Sequence, residues 1–135
     1  MAQDALEFRH QTPEFAGVKK TWQVCQSDLM KVQVQVVKSG GENNLHTHTG
    51  EDAFWYVISG AVRFYGEGDK VIGEYRKGEG ILVPRGFKYW FESAASEPLE
   101  ILRVTAKDPS IDNKRVDLAP QKDWMLRQNA LGARP

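Results

Sequence analysis

The chain has 135 residues, enough for one domain with its own hydrophobic core. Lysine plus arginine and aspartate plus glutamate each total 18, so the net charge is zero and no long-range field favours nucleic acid or anionic lipid. The lone Cys25 excludes an internal disulfide, the stretch from Met1 to Thr12 lacks the apolar run of a secretory signal, and no segment approaches the roughly 18 to 20 apolar residues that span a bilayer. A soluble, cytoplasmic protein with no nucleic-acid or membrane partner is expected.

Residues 1–17 are polar, carry Pro13 and Gly17, and read as an N-terminal arm. From residue 18 to 106 turn-forming clusters recur at Ser39-Gly40-Gly41, Thr49-Gly50, Ser59-Gly60, Gly66-Glu67-Gly68, Lys77 to Gly80, Pro84-Arg85-Gly86 and Ser93 to Pro98. A spacing of about eight to twelve residues marks many short strands. Cys25 reads as a small buried hydrophobe. Lys31 to Val37 alternates, with Val32, Val34 and Val36 on one face and Gln33 and Gln35 on the other. Phe54 to Ile58 is apolar throughout, as where both faces are covered, and Val62 with Phe64, Ile81 with Val83, and Phe87, Tyr89 and Phe91 continue the period of two. Leu99 to Ala106 supplies a last strand. The glycine loops at 66–68 and 78–80 open no helix and lack the lysine-serine ending of a phosphate loop, so they read as hairpin turns. Residues 107–135 form a C-terminal tail with Pro109, Pro120 and Pro135, in which Ala119 to Ala130, around Trp124, is a candidate short helix. Such a list of strands predicts an all-β, antiparallel domain, and periodicity leaves sandwich and barrel both open.

The chemistry concentrates at His46-Thr47-His48, followed by Glu51 and Asp52. Side chains two apart on a strand point the same way, so both imidazoles can meet one metal ion. A nearby carboxylate would complete a two-histidine, one-carboxylate face with open positions, the arrangement that favours non-haem Fe(II). The competing reading is a pair of histidines in a polar cavity with no metal.

The stretch from Gly40 to Gly60 resembles the first motif of the cupin superfamily: a glycine, five residues, His-x-His, three or four residues, a glutamate, six residues and a glycine. Gly78 to Ser93 resembles the second: a glycine, five residues, Pro-x-Gly, two residues, a histidine, three residues and an asparagine. The resemblance implies a double-stranded, jelly-roll-like β-barrel over residues 18–106, often dimeric, with a ligand cavity inside. His46 and His48 match the first two metal ligands of the family. The glutamate position falls on Asp52 counted from His48 and on Ala53 counted back from Gly60; Asp52 is the candidate third ligand and Glu51 the alternative if the register shifts. The last histidine falls on Tyr89, and the asparagine on Ser93.

Two functional expectations follow. The first is a metal-dependent enzyme, an oxygenase (dioxygenase) or isomerase, in which His46, His48 and Asp52 hold Fe(II), with Zn, Mn or Ni as alternatives, and Tyr89 and His46 act on a small-molecule substrate. The second is a metal-free cupin that binds, cyclises or isomerises an apolar or aromatic ligand, with a histidine as acid or base; a sensor or partner protein docking through the tail is a further reading. Trp55, Phe64, Phe91 and Arg63 are the candidates for lining a substrate pocket, against core packing for the aromatics and a solvated face for Arg63. Arg63 and Arg103 can each grip a substrate carboxylate or stand in solvent. A homodimer is expected.

Overall fold

A computed structural model describes residues 4–120. Ten strands form two five-stranded sheets, and every pairing is antiparallel. In chain order they are β1 (Lys19–Gln26), β2 (Met30–Val37), β3 (Gly41–His48), β4 (Glu51–Ser59), β5 (Ala61–Tyr65), β6 (Val71–Arg76), β7 (Gly80–Val83), β8 (Tyr89–Ser93), β9 (Leu99–Lys107) and β10 (Arg115–Asp117). One sheet runs β1-β2-β9-β4-β7 and the other β10-β3-β8-β5-β6. Each turn cluster of the sequence falls at a connection, including the short 3-10 turn at Glu67–Asp69 and the left-handed Gly60 between β4 and β5. Among the described residues no helix is long and apolar enough to cross a membrane.

Side chains of the two inner faces meet in one core. Trp55 and Val57 of β4, Val62 and Phe64 of β5, Phe91 of β8, and Leu99 and Ile101 of β9 are all fully buried there. The aromatic rings pack edge-on or tilted, with Trp55 at 5.1 Å and Phe64 at 5.0 Å from Phe91, the offset geometry that ring quadrupoles favour. Trp55, Phe64 and Phe91 therefore form the packed floor of the barrel. Close approach demands a glycine at Gly80, where an added Cβ would stand 1.8 Å from the Trp55 carbonyl oxygen.

Three features add to the sequence reading or depart from it. The valine face of β2 points outward and the glutamine face inward, because β2 pairs with β9 as Gln33↔Arg103 and Gln35↔Ile101. Val34 and Val36 are nevertheless buried. The N-terminal arm crosses that outer face: His10 stacks on Trp22 and, with Thr12, hydrogen-bonds Glu100, while Lys38 Nζ donates to the Phe15 carbonyl. The sheets also run past residue 106, since β10 pairs with β3 along the histidine strand as Asp117↔His46 and Arg115↔His48. Cys25 is only half-buried, beside the bulge between Gln23 and Cys25 in β1. The candidate helix around Trp124 lies outside the described residues.

Candidate ligand site in the barrel interior

The site begins at the corner between β3 and β4. Thr49 and Gly50 carry the chain from one sheet to the other, and the loop before β10 pins the corner: Asn113 Oδ1 accepts from the Gly50 N–H at 3.1 Å, and Thr49 Oγ1 donates to the Asp112 carbonyl at 2.8 Å. On one continuous strand, residues 46, 48, 50 and 52 would share a face. The corner resets that parity, so the inward positions are 46 and 48 before it and 51, 53 and 55 after it, all but His48 buried.

The acidic neighbour of His48 is consequently Glu51. Its Oε1 lies 3.2 Å from His48 Nδ1, which donates to it. Burial pushes the Glu51 carboxyl up, but the His48 hydrogen bond, the Arg103 charge, a hydrogen bond from Asn113 and the His48 charge together outweigh it and hold the carboxyl at about 2. Asp52 points outward, where its Oδ1 accepts from the Arg85 N–H at 2.9 Å and pairs with the Arg85 guanidinium at 3.2 Å. Asp52, the expected third ligand, thus stands on the outer face of β4, and Glu51, the alternative to it, is the carboxylate beside His48.

Arg103, which the sequence left between a ligand contact and a solvated face, is an interior residue. It sits in register between Gln33 and Trp55. Its Nη2 donates to His48 Nε2 at 3.3 Å and lies 3.7 Å from Glu51 Oε1, its Nη1 donates to Gln33 Oε1 at 3.3 Å, and the guanidinium carbon stands 5.3 Å from the Trp55 ring centre. Arg63 lies on the outer face of the other sheet, bound to Glu74 at 2.7 Å and facing Tyr65, so it lines no interior pocket. Nothing in its local pattern separated it from Arg103; the signal was its register partner Glu92, against Trp55 and Gln33 for Arg103.

His46 is fully buried, and its Nδ1 donates to the Asn44 carbonyl at 2.8 Å. The Asn44 side chain is itself locked, donating to Asp117 at 2.9 Å and accepting from Arg115 at 3.1 Å. Tyr89 is in register with His46, its ring centre 4.5 Å from the imidazole and 5.9 Å from Phe64. His46, His48, Tyr89, Trp55, Phe64 and Phe91 thus share the interior with Glu51, Arg103 and Gln33. Trp55 Nε1, Arg103 Nε and Gln35 Oε1 are buried polar atoms with no hydrogen-bond partner among the described residues.

This donor set keeps two of the metal ligands that the resemblance implies and departs from it at the others. Of the four positions at which the resemblance implies ligands, two are His46 and His48 and one is Tyr89; at the carboxylate position Ala53 has no donor, Asp52 faces outward, and Glu51, the alternative, is turned onto His48 Nδ1. Among the described residues no three histidine, cysteine or acidic side chains group to hold a metal ion. Arg103 reinforces the point, because a permanent cation already stands against the His48 nitrogen that would ligate. At an effective dielectric near 20 and a separation near 4 Å, such a charge alone opposes a second cation by roughly 4 kcal/mol per unit of charge, part of which the Glu51 carboxylate beside it offsets.

The Cupin domain family matches residues 33–105, and the chain belongs to it. Among curated proteins no sequence matches the chain. Solved structures agree on the fold. A double-stranded β-helix protein from Klebsiella pneumoniae superposes with a TM-score of 0.65 at 18% identity, over 80% of this chain and 90% of its own. KdgF from Halomonas sp. gives 0.63 at 16% identity, over 78% and 96%. Oxalate decarboxylase from Bacillus subtilis gives 0.59 at 22% identity, over 80% of this chain and 30% of its own. At these identities the likeness carries the fold alone.

Proposed function

We propose that this cupin works on a small organic molecule without a metal, holding it against His46, Tyr89 and Trp55 and moving protons on it through His48. The observation that carries the reading is the clamp on His48, with Glu51 on one ring nitrogen and Arg103 on the other. Glu51 fixes the tautomer with its proton on Nδ1, so the lone pair on Nε2 is the basic atom. When a ligand draws the guanidinium away, Nε2 accepts a proton from a ligand C–H or O–H, Glu51 stabilises the imidazolium, and the same proton returns at a second ligand atom. That sequence is an isomerisation and needs no redox partner. For the expected Fe(II) oxygenase chemistry the donor set offers the two histidines alone, with the Glu51 carboxylate turned onto His48.

A metal-dependent reading keeps one favourable observation: Nδ1 of His46 and Nδ1 of His48 are both bound to oxygen, the tautomer found in metal-ligating histidines. Elemental analysis of protein purified without added metal, followed by titration with Zn2+, Mn2+ and Fe2+, separates the two. The expected result is far less than one metal per chain and no saturable uptake. One metal per chain, lost in His46→Ala, would overturn the proposal.

A further inference from the structure

We infer that the ligand of this site is a small organic carboxylate, held between Arg103 and Trp55. The inference rests on the metal-free reading above and names its ligand class.

The inner face of the β2-β9-β4 sheet carries a row of three side chains in register, Gln33, Arg103 and Trp55. Arg103 spends Nη1 on Gln33 and Nη2 on His48 and Glu51, whereas its Nε–H, a buried donor, meets no acceptor among the described residues. The Trp55 indole N–H is in the same condition, on a side chain 1% exposed. Indole and guanidinium nitrogens only donate, so both orphaned groups ask for acceptors. Buried donors are satisfied in the great majority of native structures, by protein, water or ligand.

The two donors belong together. Their residues are direct cross-strand partners, and the guanidinium carbon is 5.3 Å from the Trp55 ring centre. One carboxylate, with two acceptor oxygens on one carbon, can take a hydrogen bond from each. A neutral amide of the same shape offers one carbonyl oxygen and puts an N–H against a donor. The permanent charge of Arg103 adds a preference for the anion, and charge-assisted bonds are about twice as strong as neutral ones. The neighbouring inward pair is Ala53 opposite Thr105, two small buried side chains beside Trp55 and Arg103. Pairing with the ligand also gives the guanidinium an anion other than Glu51, which is the displacement that exposes His48 Nε2.

The test uses the full chain labelled with 15N, at constant ionic strength set with chloride. Acetate and benzoate are titrated while the Trp55 indole N–H resonance, assigned through Trp55→Phe, is followed; acetamide and benzamide are the neutral controls. The expected result is a saturable shift with at least one carboxylate, none with the amides or chloride, and roughly tenfold or greater weakening in Arg103→Gln. If Arg103→Gln does not fold, calorimetric titration of Trp55→Phe takes its place, with the same weakening expected. Equal shifts with the amides, no shift with either carboxylate, or undiminished binding in the variant that folds would overturn the inference. Metal content is measured on the same sample: a full-occupancy metal sinks the metal-free reading whatever the anions do, while a metal-free sample indifferent to carboxylates sinks the ligand class alone.

Discussion

Replacing Glu51 by glutamine isolates the electrostatics of the site. The carboxyl is held at about 2 rather than the ordinary 4.5, and at ~1.36 kcal/mol per pH unit the difference amounts to about 3 kcal/mol of folding free energy. The group is depressed in the folded state, so its contribution is fully present above 4.5 and is lost as the pH falls towards 2. The readout is urea unfolding of wild type and Glu51→Gln across that range. The stability gap should be widest near neutrality, where the variant also leaves the Arg103 charge without its carboxylate, and should shrink by about 3 kcal/mol on acidification. A gap that does not change with pH would refute the reasoning, because it would mean that Glu51 titrates alike folded and unfolded and is not held by His48 and Arg103.

Asp52→Ala should leave the Trp55 indole resonance and its response to carboxylates unchanged, because Asp52 faces Arg85 on the outer surface; a shifted resonance would place it in the site after all. Gly80→Ala should lower stability by about 1 to 3 kcal/mol or prevent folding, since the new methyl group meets the Trp55 carbonyl; a thermal melt matching wild type would contradict that contact. Glu100→Ala should loosen the N-terminal arm, read as faster tryptic cleavage after Arg9, and an unchanged cleavage rate would show that His10 and Thr12 are not what hold it.

How far the sequence reaches is clearest at His48 and the residues after it. The turn clusters and the period of two were local signals, and they located the connections and most of the strands. The two histidines on one inward face were legible for the same reason. The carboxylate was not, because counting along the chain from His48 treats Thr49 and Gly50 as strand, whereas they form the corner that swaps faces and delivers Glu51. The outward valines of β2 were ambiguous in a similar way: alternation shows that two faces differ, and only the pairing with β9 and the cover from the arm decide which is inside. Arg103 carried no local mark that set it apart from Arg63. Its role comes from what stands opposite it on two neighbouring strands, information that belongs to the register. β10 is three residues in a charged tail, too short for periodicity to reveal, and it pairs only because β3 offers it an open edge.

The arm over β1, β2 and β9 gives the molecule a second, softer mode of opening. Among the described residues it contributes no strand to either sheet, and the contacts that seat it are the His10 stack, the bonds to Glu100 and the Lys38 bond to Phe15. Lifting it breaks no ladder, so amide hydrogens beneath it exchange through an excursion far less costly than global unfolding. What that excursion bares is a hydrocarbon stripe of Val34 and Val36, a surface whose exposure favours self-association. Self-association through that stripe therefore depends on how tightly a few residues near the beginning of the chain stay down, and it adds to the apolar side chains that the barrel already exposes, Phe54 and Leu82 among them.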